Sequence, residues 1–149
     1  MTRDDVLDAL LAQTQEQLDA LHSLLRSLQE SLTSEAKSTA GDKHETGRAM
    51  IHQEMRQANE SVVRAQQTFQ ALSKLKQGRG VAERVVEGVL VETNGPWVLI
   101  GVALGRLVVN HEEVVGVSAE APLAKQWNGS KVGDAVTMGP RSLIIRALH

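Results

Sequence analysis

The chain has 149 residues, of which 16 are basic and 18 acidic, for a formal net charge of −2. That length suits one ordinary domain or two small ones, and the charge excludes bulk electrostatic binding to nucleic acid, because no basic excess exists to neutralise phosphates. There is no cysteine, which excludes disulfides and thiolate zinc sites, and aromatics are limited to Phe69, Trp97 and Trp127, too few for a platform that stacks single-stranded bases.

The N-terminus lacks the charged-then-apolar pattern of a signal peptide. No apolar run is long enough to span a bilayer. The expected location is therefore the cytoplasm, with no membrane partner. Splitting the chain after Gln77 leaves 9 basic and 11 acidic residues in the first part and 7 of each in the second, so neither part is a basic module.

Residues 1–77 contain no proline, and their only glycines are Gly41 and Gly47. Asp4 and Asp5 stand where a helix N-terminus favours negative charge. From there an apolar ladder runs through Leu7, Leu11, Thr14, Leu18, Leu21, Leu25, Leu28 and Leu32. A polar stretch, 33–46, interrupts it. A second ladder follows through Ile51, Met55, Ala58, Val62, Ala65, Phe69 and Leu72. Both ladders step by alternating fours and threes, the seam spacing of coiled-coil helices. Leu32 pairs with Ile51, Leu28 with Met55, Leu25 with Ala58 and Leu21 with Val62. Leu18 pairs with Ala65, Thr14 with Phe69 and Leu11 with Leu72, and every pair of numbers sums to 83. A constant sum is the signature of an antiparallel hairpin, with its axis between Gly41 and Asp42. Each helix would reach roughly 40–50 Å at about 1.5 Å per residue. Two helices alone make a thin core, so the free end needs an anchor elsewhere.

The apex of this hairpin carries Asp42 and Glu45. One reading is a capping box, with Asp42 as N-cap and Glu45 reaching back to its N–H. The other is a pair of outward carboxylates near one face of a helix start, able to share a hard cation. Magnesium is held by one or two carboxylates plus water and phosphate oxygens, so a second party would have to complete the site. Lys37, Lys43 and Arg48 surround the apex. They could steer an anionic chain, or they could be a solvated mixed-charge turn. His44 and His52 are eight residues apart, a poor spacing for zinc. His44 could influence the protonation of Asp42 near neutrality or be an exposed spectator.

Gly78-Arg79-Gly80 breaks the helical pattern and reads as a linker. Beyond it the composition shifts to β-branched residues and turn signals. Strands are expected over 85–93, 97–102, 106–109 and 114–117, with a turn at Asn94-Gly95-Pro96. Pro122 suits the first position of a short helix ending near Trp127. A last hairpin, 135–138 and 142–145, would turn at Gly139-Pro140. The fold class is therefore α+β: an antiparallel coiled-coil hairpin over 1–77, then a mostly antiparallel β domain with one short helix over 78–149. Phe69 falls on the seam. Trp97 and Trp127 read as core anchors, with Trp127 alternatively a partly exposed docking residue.

Gly41-Asp42-x-x-Glu45 resembles the tip of the Gre transcript-cleavage factors of bacterial RNA polymerase. These carry glycine, aspartate and glutamate at this spacing on a coiled-coil hairpin. Pro122-Leu123-Ala124, followed by Gly129 and Gly133-Asp134, resembles the proline–aliphatic–alanine segment of the Gre C-terminal domain, without a gap. The resemblance covers both halves in order and implies an FKBP-like C-terminal domain. It implies docking at the rim of the polymerase secondary channel through Glu120, Pro122, Leu123 and Trp127. It also implies contacts near the RNA 3′ end from Lys37, Gly41, Lys43, His44 and Arg48. Asp42 and Glu45 would help hold a magnesium ion supplied within the polymerase active site. The factor would bind no metal stably by itself, touch nascent RNA only indirectly and be no independent enzyme. The chain departs from the family where tips continue with asparagine, a further glutamate and tyrosine. Here Thr46, Gly47, Arg48 and Ala49 follow, and the serine before the proline is Ala121. Two other readings stand beside this one: a channel-binding competitor without cleavage activity, and a coiled-coil adaptor unrelated to transcription.

Overall fold

The computed structural model describes residues 1–36, 41–78 and 80–149, and the side chains at 35, 36 and 41–44 lie outside that description. Two long helices come first, α1 (Arg3–Ala36) and α2 (Gly41–Gln77). Six strands and a short helix follow: β1 (Leu90–Thr93), β2 (Trp97–Ile100), β3 (Gly105–Val109), β4 (Glu112–Val117), α3 (Pro122–Trp127), β5 (Ala135–Met138) and β6 (Arg141–Leu148). The protein is α+β. Among the described residues, no helix is long and apolar enough to cross a membrane. The chain divides into two compact units, one of residues 1–11 with 71–149 and the other of residues 12–70.

The start of α1 is fixed by a reciprocal cap. The Asp5 N–H donates to Thr2 Oγ1 at 3.1 Å, and the Thr2 N–H donates to Asp5 Oδ2 at 2.8 Å. Two helix-end donors are thereby satisfied together. The Thr2 N–H, then its hydroxyl, hold the Asp5 carboxyl below its ordinary pKa. The end of α2 is satisfied differently. The Arg3 guanidinium donates to the carbonyls of Leu75 and Gly78 and, through Nε, to Gly88 O at 2.6 Å. These include helix-terminal carbonyls that have no partner within the helix.

In the unit of residues 12–70, burial follows the heptad ladders. Between Ala12 and Ser34 every residue is exposed except Thr14, Leu18, Leu21, Leu25, Leu28 and Leu32. Between Ala49 and Gln67 only Ile51, Met55, Ala58, Ser61, Val62 and Ala65 are shielded. Leu18, Val62 and Ala65 form one apolar cluster, with Leu21 and Leu25 packed on it. Two of the sequence-derived pairs, Leu18 with Ala65 and Leu21 with Val62, fall in that cluster.

In the other unit the sheet order is β3-β4-β2-β1-β6-β5. It is a mixed sheet, not an antiparallel one throughout: β2 and β4 run parallel, with Trp97 opposite Val114 and Ile100 opposite Val117. β3 and β4 form a hairpin around Asn110 and His111, both at positive φ (50° and 67°), the turn that matches strand twist. The return strand β4 then inserts beside β2. Strand β1 starts at Leu90, five residues later than the composition suggests, because 85–89 bond elsewhere. Val85 exchanges bonds with Ser130 and Gly129, and the Gly88 N–H donates to Ile100 O. The β5–β6 turn falls at Gly139-Pro140 as expected, with Met138 opposite Arg141.

The centre of the sheet is buried on both faces. Val91, Val98, Ile100 and Val115 join Ala124 and Trp127 of α3, together with Val136, Met138, Leu143 and Ile145, in one cluster. Leu90, Trp97, Leu99 and Val114 join Val6, Leu7, Leu10 and Leu72 in the other. Alternate residues of β1 and β2 thus point into different cores, and all four residues of β2 are buried. A strand covered on both sides reads as a continuous apolar run. Trp-Val-Leu-Ile is such a run.

Candidate functional site

The acidic segment sits at the start of α2, whose first residue is Gly41. Asp42 and Glu45 are three positions apart in its opening turns, near one face of the helix. Glu45 and Arg48 are exposed. Lys37 lies outside the described residues, as do the side chains at Gly41, Asp42, Lys43 and His44. The capping-box reading of Asp42 rests on those side chains and falls outside the description with them. His52 is exposed. Among the described residues, no group of three or more His, Asp or Glu side chains could hold a metal ion.

The second candidate segment surrounds α3. A turn precedes it: the Glu120 N–H donates to Ser118 Oγ at 3.2 Å and the Ala121 N–H to Ser118 O at 3.0 Å. Ala121 stands at the N-cap with extended backbone (φ −64°, ψ 146°) and offers no side-chain cap. Pro122, which has no N–H to satisfy, occupies the first turn. Glu120 and Pro122 are exposed, Leu123 is half-buried, and Glu120 pairs with Lys125 at 3.8 Å across open surface. Such a pair contributes little to stability.

Trp127 is placed otherwise. It is 1% exposed, and its indole Nε1–H donates to Thr137 O at 2.9 Å. A buried indole with a satisfied N–H anchors α3 to β5. Of the four docking candidates, Glu120 and Pro122 therefore present their side chains to solvent, and Trp127 supports them from beneath. Beside α3 lies a cleft of about 310 Å³ whose lining includes Val86, Glu87, Ala119, Ala124 and Lys125.

Sequence reasoning missed three features. The Thr2–Asp5 cap was readable as a threonine followed by an acid three residues later. The Asn110-His111 turn carried a weak signal, asparagine being tolerant of positive φ. The stacking of the His149 ring on Trp97, with centroids 5.4 Å apart, joins residues far apart in the chain and left no sequence signal. His149 also lies 3.2 Å from Glu92 Oε2.

Comparison with protein-family models, curated proteins and solved structures finds no match to this chain.

Proposed function

We propose that this protein is a Gre-like accessory factor of bacterial RNA polymerase. In this reading α1 and α2 form an antiparallel coiled-coil hairpin, and the sheet with α3 forms an FKBP-like domain. The hairpin tip enters the secondary channel, and the domain docks at its rim. The observation that carries the reading is the index sum of 83, centred between Gly41 and Asp42, on the residues that burial selects in both helices. A coiled-coil adaptor has no need to place its carboxylates at that centre.

Asp42 and Glu45 supply oxygen donors of the kind a hard divalent cation takes. Two such donors leave most coordination positions open, so the remaining ligands come from the polymerase and the RNA. When bound there, magnesium stabilises charge on the attacking and leaving oxygens of phosphodiester hydrolysis. The role of this chain is to deliver and orient two carboxylates. Arg48, exposed on the same helix, adds a positive charge toward RNA phosphate. Glu120, Pro122 and Leu123 provide the docking surface, held in place by Trp127.

The test is the paired substitution Asp42→Asn with Glu45→Gln in backtracked transcription complexes. Loss of RNA cleavage by orders of magnitude is expected, because transition-state charge stabilisation is lost. Asparagine caps a helix about as well as aspartate, so a purely capping role leaves cleavage and melting temperature unchanged. A specific observation favours the second reading: Thr46, Gly47, Arg48 and Ala49 replace the rest of the family tip. Polymerase binding with no cleavage by the unaltered protein assigns it as a channel competitor. Failure to capture purified polymerase at all leaves the adaptor.

A further inference from the structure

The chain has two asparagine–glycine steps, Asn94-Gly95 and Asn128-Gly129. Such steps are chemically labile, because glycine has no Cβ to crowd its nitrogen. That nitrogen attacks the asparagine side-chain carbonyl carbon. A C–N bond forms, the bond to the side-chain NH2 breaks, and ammonia leaves carrying the displaced proton. Water then opens the cyclic imide at either carbonyl, giving aspartate or isoaspartate. No oxidant or other reactant is needed.

Both asparagines are exposed, so accessibility does not separate them. Hydrogen bonding does. Asn94 Oδ1 accepts the Ile144 N–H at 2.9 Å, while the Asn94 N–H donates to Ile144 O at 3.2 Å. The side chain extends the β1–β6 ladder by one rung. The attacking group is held as well: the Gly95 N–H donates to Thr93 Oγ1 at 3.0 Å, and the buried Thr93 hydroxyl donates onward to Pro96 O at 2.7 Å. Bringing nitrogen and carbonyl together at Asn94 breaks both restraints and orphans a strand N–H.

Asn128 lacks the first restraint. Its side chain makes no hydrogen bond among the described residues. It occupies the first central position of a turn closed by Ser130 N–H to Trp127 O at 3.0 Å, with φ −53° and ψ 128°. Gly129 follows at φ +84°, the left-handed conformation that this turn requires. The backbone of the pair is held: the Gly129 N–H donates to Val85 O at 2.8 Å, the Asn128 N–H to Ala124 O at 3.0 Å, and the Arg84 guanidinium to Gly129 O at 2.9 Å, which leaves the Asn128 side-chain amide as the unrestrained partner. We propose that Asn128 is a deamidation site of the folded protein and that the sheet protects Asn94 from the same reaction. Conversion adds one negative charge beside the last carbonyls of α3, and the isoaspartate product lengthens the backbone of a turn stitched to Val85. The reaction does not depend on the proposed function.

The experiment holds the full-length protein folded at mildly alkaline pH, in parallel with a urea-unfolded sample. Peptide mapping by mass spectrometry and isoaspartate-specific methyl labelling follow each step over time. In the folded protein, Asn128 should convert roughly tenfold faster than Asn94, the factor by which one ordinary hydrogen bond lowers the population of open states. In the unfolded sample the two rates should converge, and Asn128→Gln should remove most of the folded-state signal. Equal folded rates, faster conversion at Asn94, or no conversion at Asn128 while the unfolded chain reacts would each overturn the proposal.

Discussion

Replacing Trp127 separates an anchor from a docking contact. The side chain is 1% exposed and shares a core with Ala124, Val136, Met138 and Ile145. Trp127→Ala removes the largest fully buried side chain of this unit. Truncating a buried aromatic costs about 3–5 kcal/mol, against a total stability of about 5–15 kcal/mol for a typical domain. Trp127→Phe is milder. The Thr137 carbonyl loses its donor, at about 0.5–1.5 kcal/mol. The smaller ring leaves a void of roughly 40 Å³, which at about 24 cal/mol per Å³ adds about 1 kcal/mol. The expected total is about 2 kcal/mol. Urea titration reads both variants, with Trp97 fluorescence as the reporter, since Trp97 belongs to the other core of the same sheet. A loss below about 1 kcal/mol for Trp127→Ala would refute the anchoring argument. Under the proposed function, Trp127→Phe, kept below its unfolding transition, should compete for polymerase as well as the unaltered protein. If it is folded and fails to compete, the indole itself makes the contact.

Ala121 sits at an N-cap with the backbone angles that a capping hydroxyl uses, so Ala121→Ser should stabilise the β-rich unit by about 1 kcal/mol in chemical denaturation. Removing residues 1–77 strips Val6, Leu7, Leu10 and Leu72 from the core they share with Leu90, Trp97, Leu99 and Val114. The isolated 78–149 segment should therefore bind a hydrophobic dye and lose its cooperative melt, and a sharp melt without dye binding would contradict this. The Asp5 carboxyl titrates below its reference value of 3.8 in the folded chain, so its contribution is complete above the unfolded pKa and is lost as pH falls through the lower folded one. Asp5→Asn should accordingly melt lower than the parent at neutral pH, with the gap closing in acid. A gap that stays constant with pH would show that the Thr2 contacts do not act through charge.

Much of the local structure is legible in the sequence because it depends on neighbours in the chain. The seam residues of both helices stand out by spacing, and Pro122 marks the start of α3 through its missing N–H. Gly139-Pro140 marks the last turn. The acidic pair at 42 and 45 is equally a matter of spacing. What lies beyond that is decided by contacts between distant residues. Nothing local tells β4 to run parallel to β2, since strand order is a choice among pairings that the same apolar runs permit. The Trp-Val-Leu-Ile run announces burial on both faces, but only the assembled sheet shows that Leu7 and Leu72 cover one face and Trp127 the other. Residues 1–11 read as the start of a seam, yet Arg3 bonds carbonyls more than seventy positions away. For Trp127, spacing allowed either an anchor or an exposed contact. The Thr137 carbonyl resolves it, because a polar N–H is buried only where a partner waits.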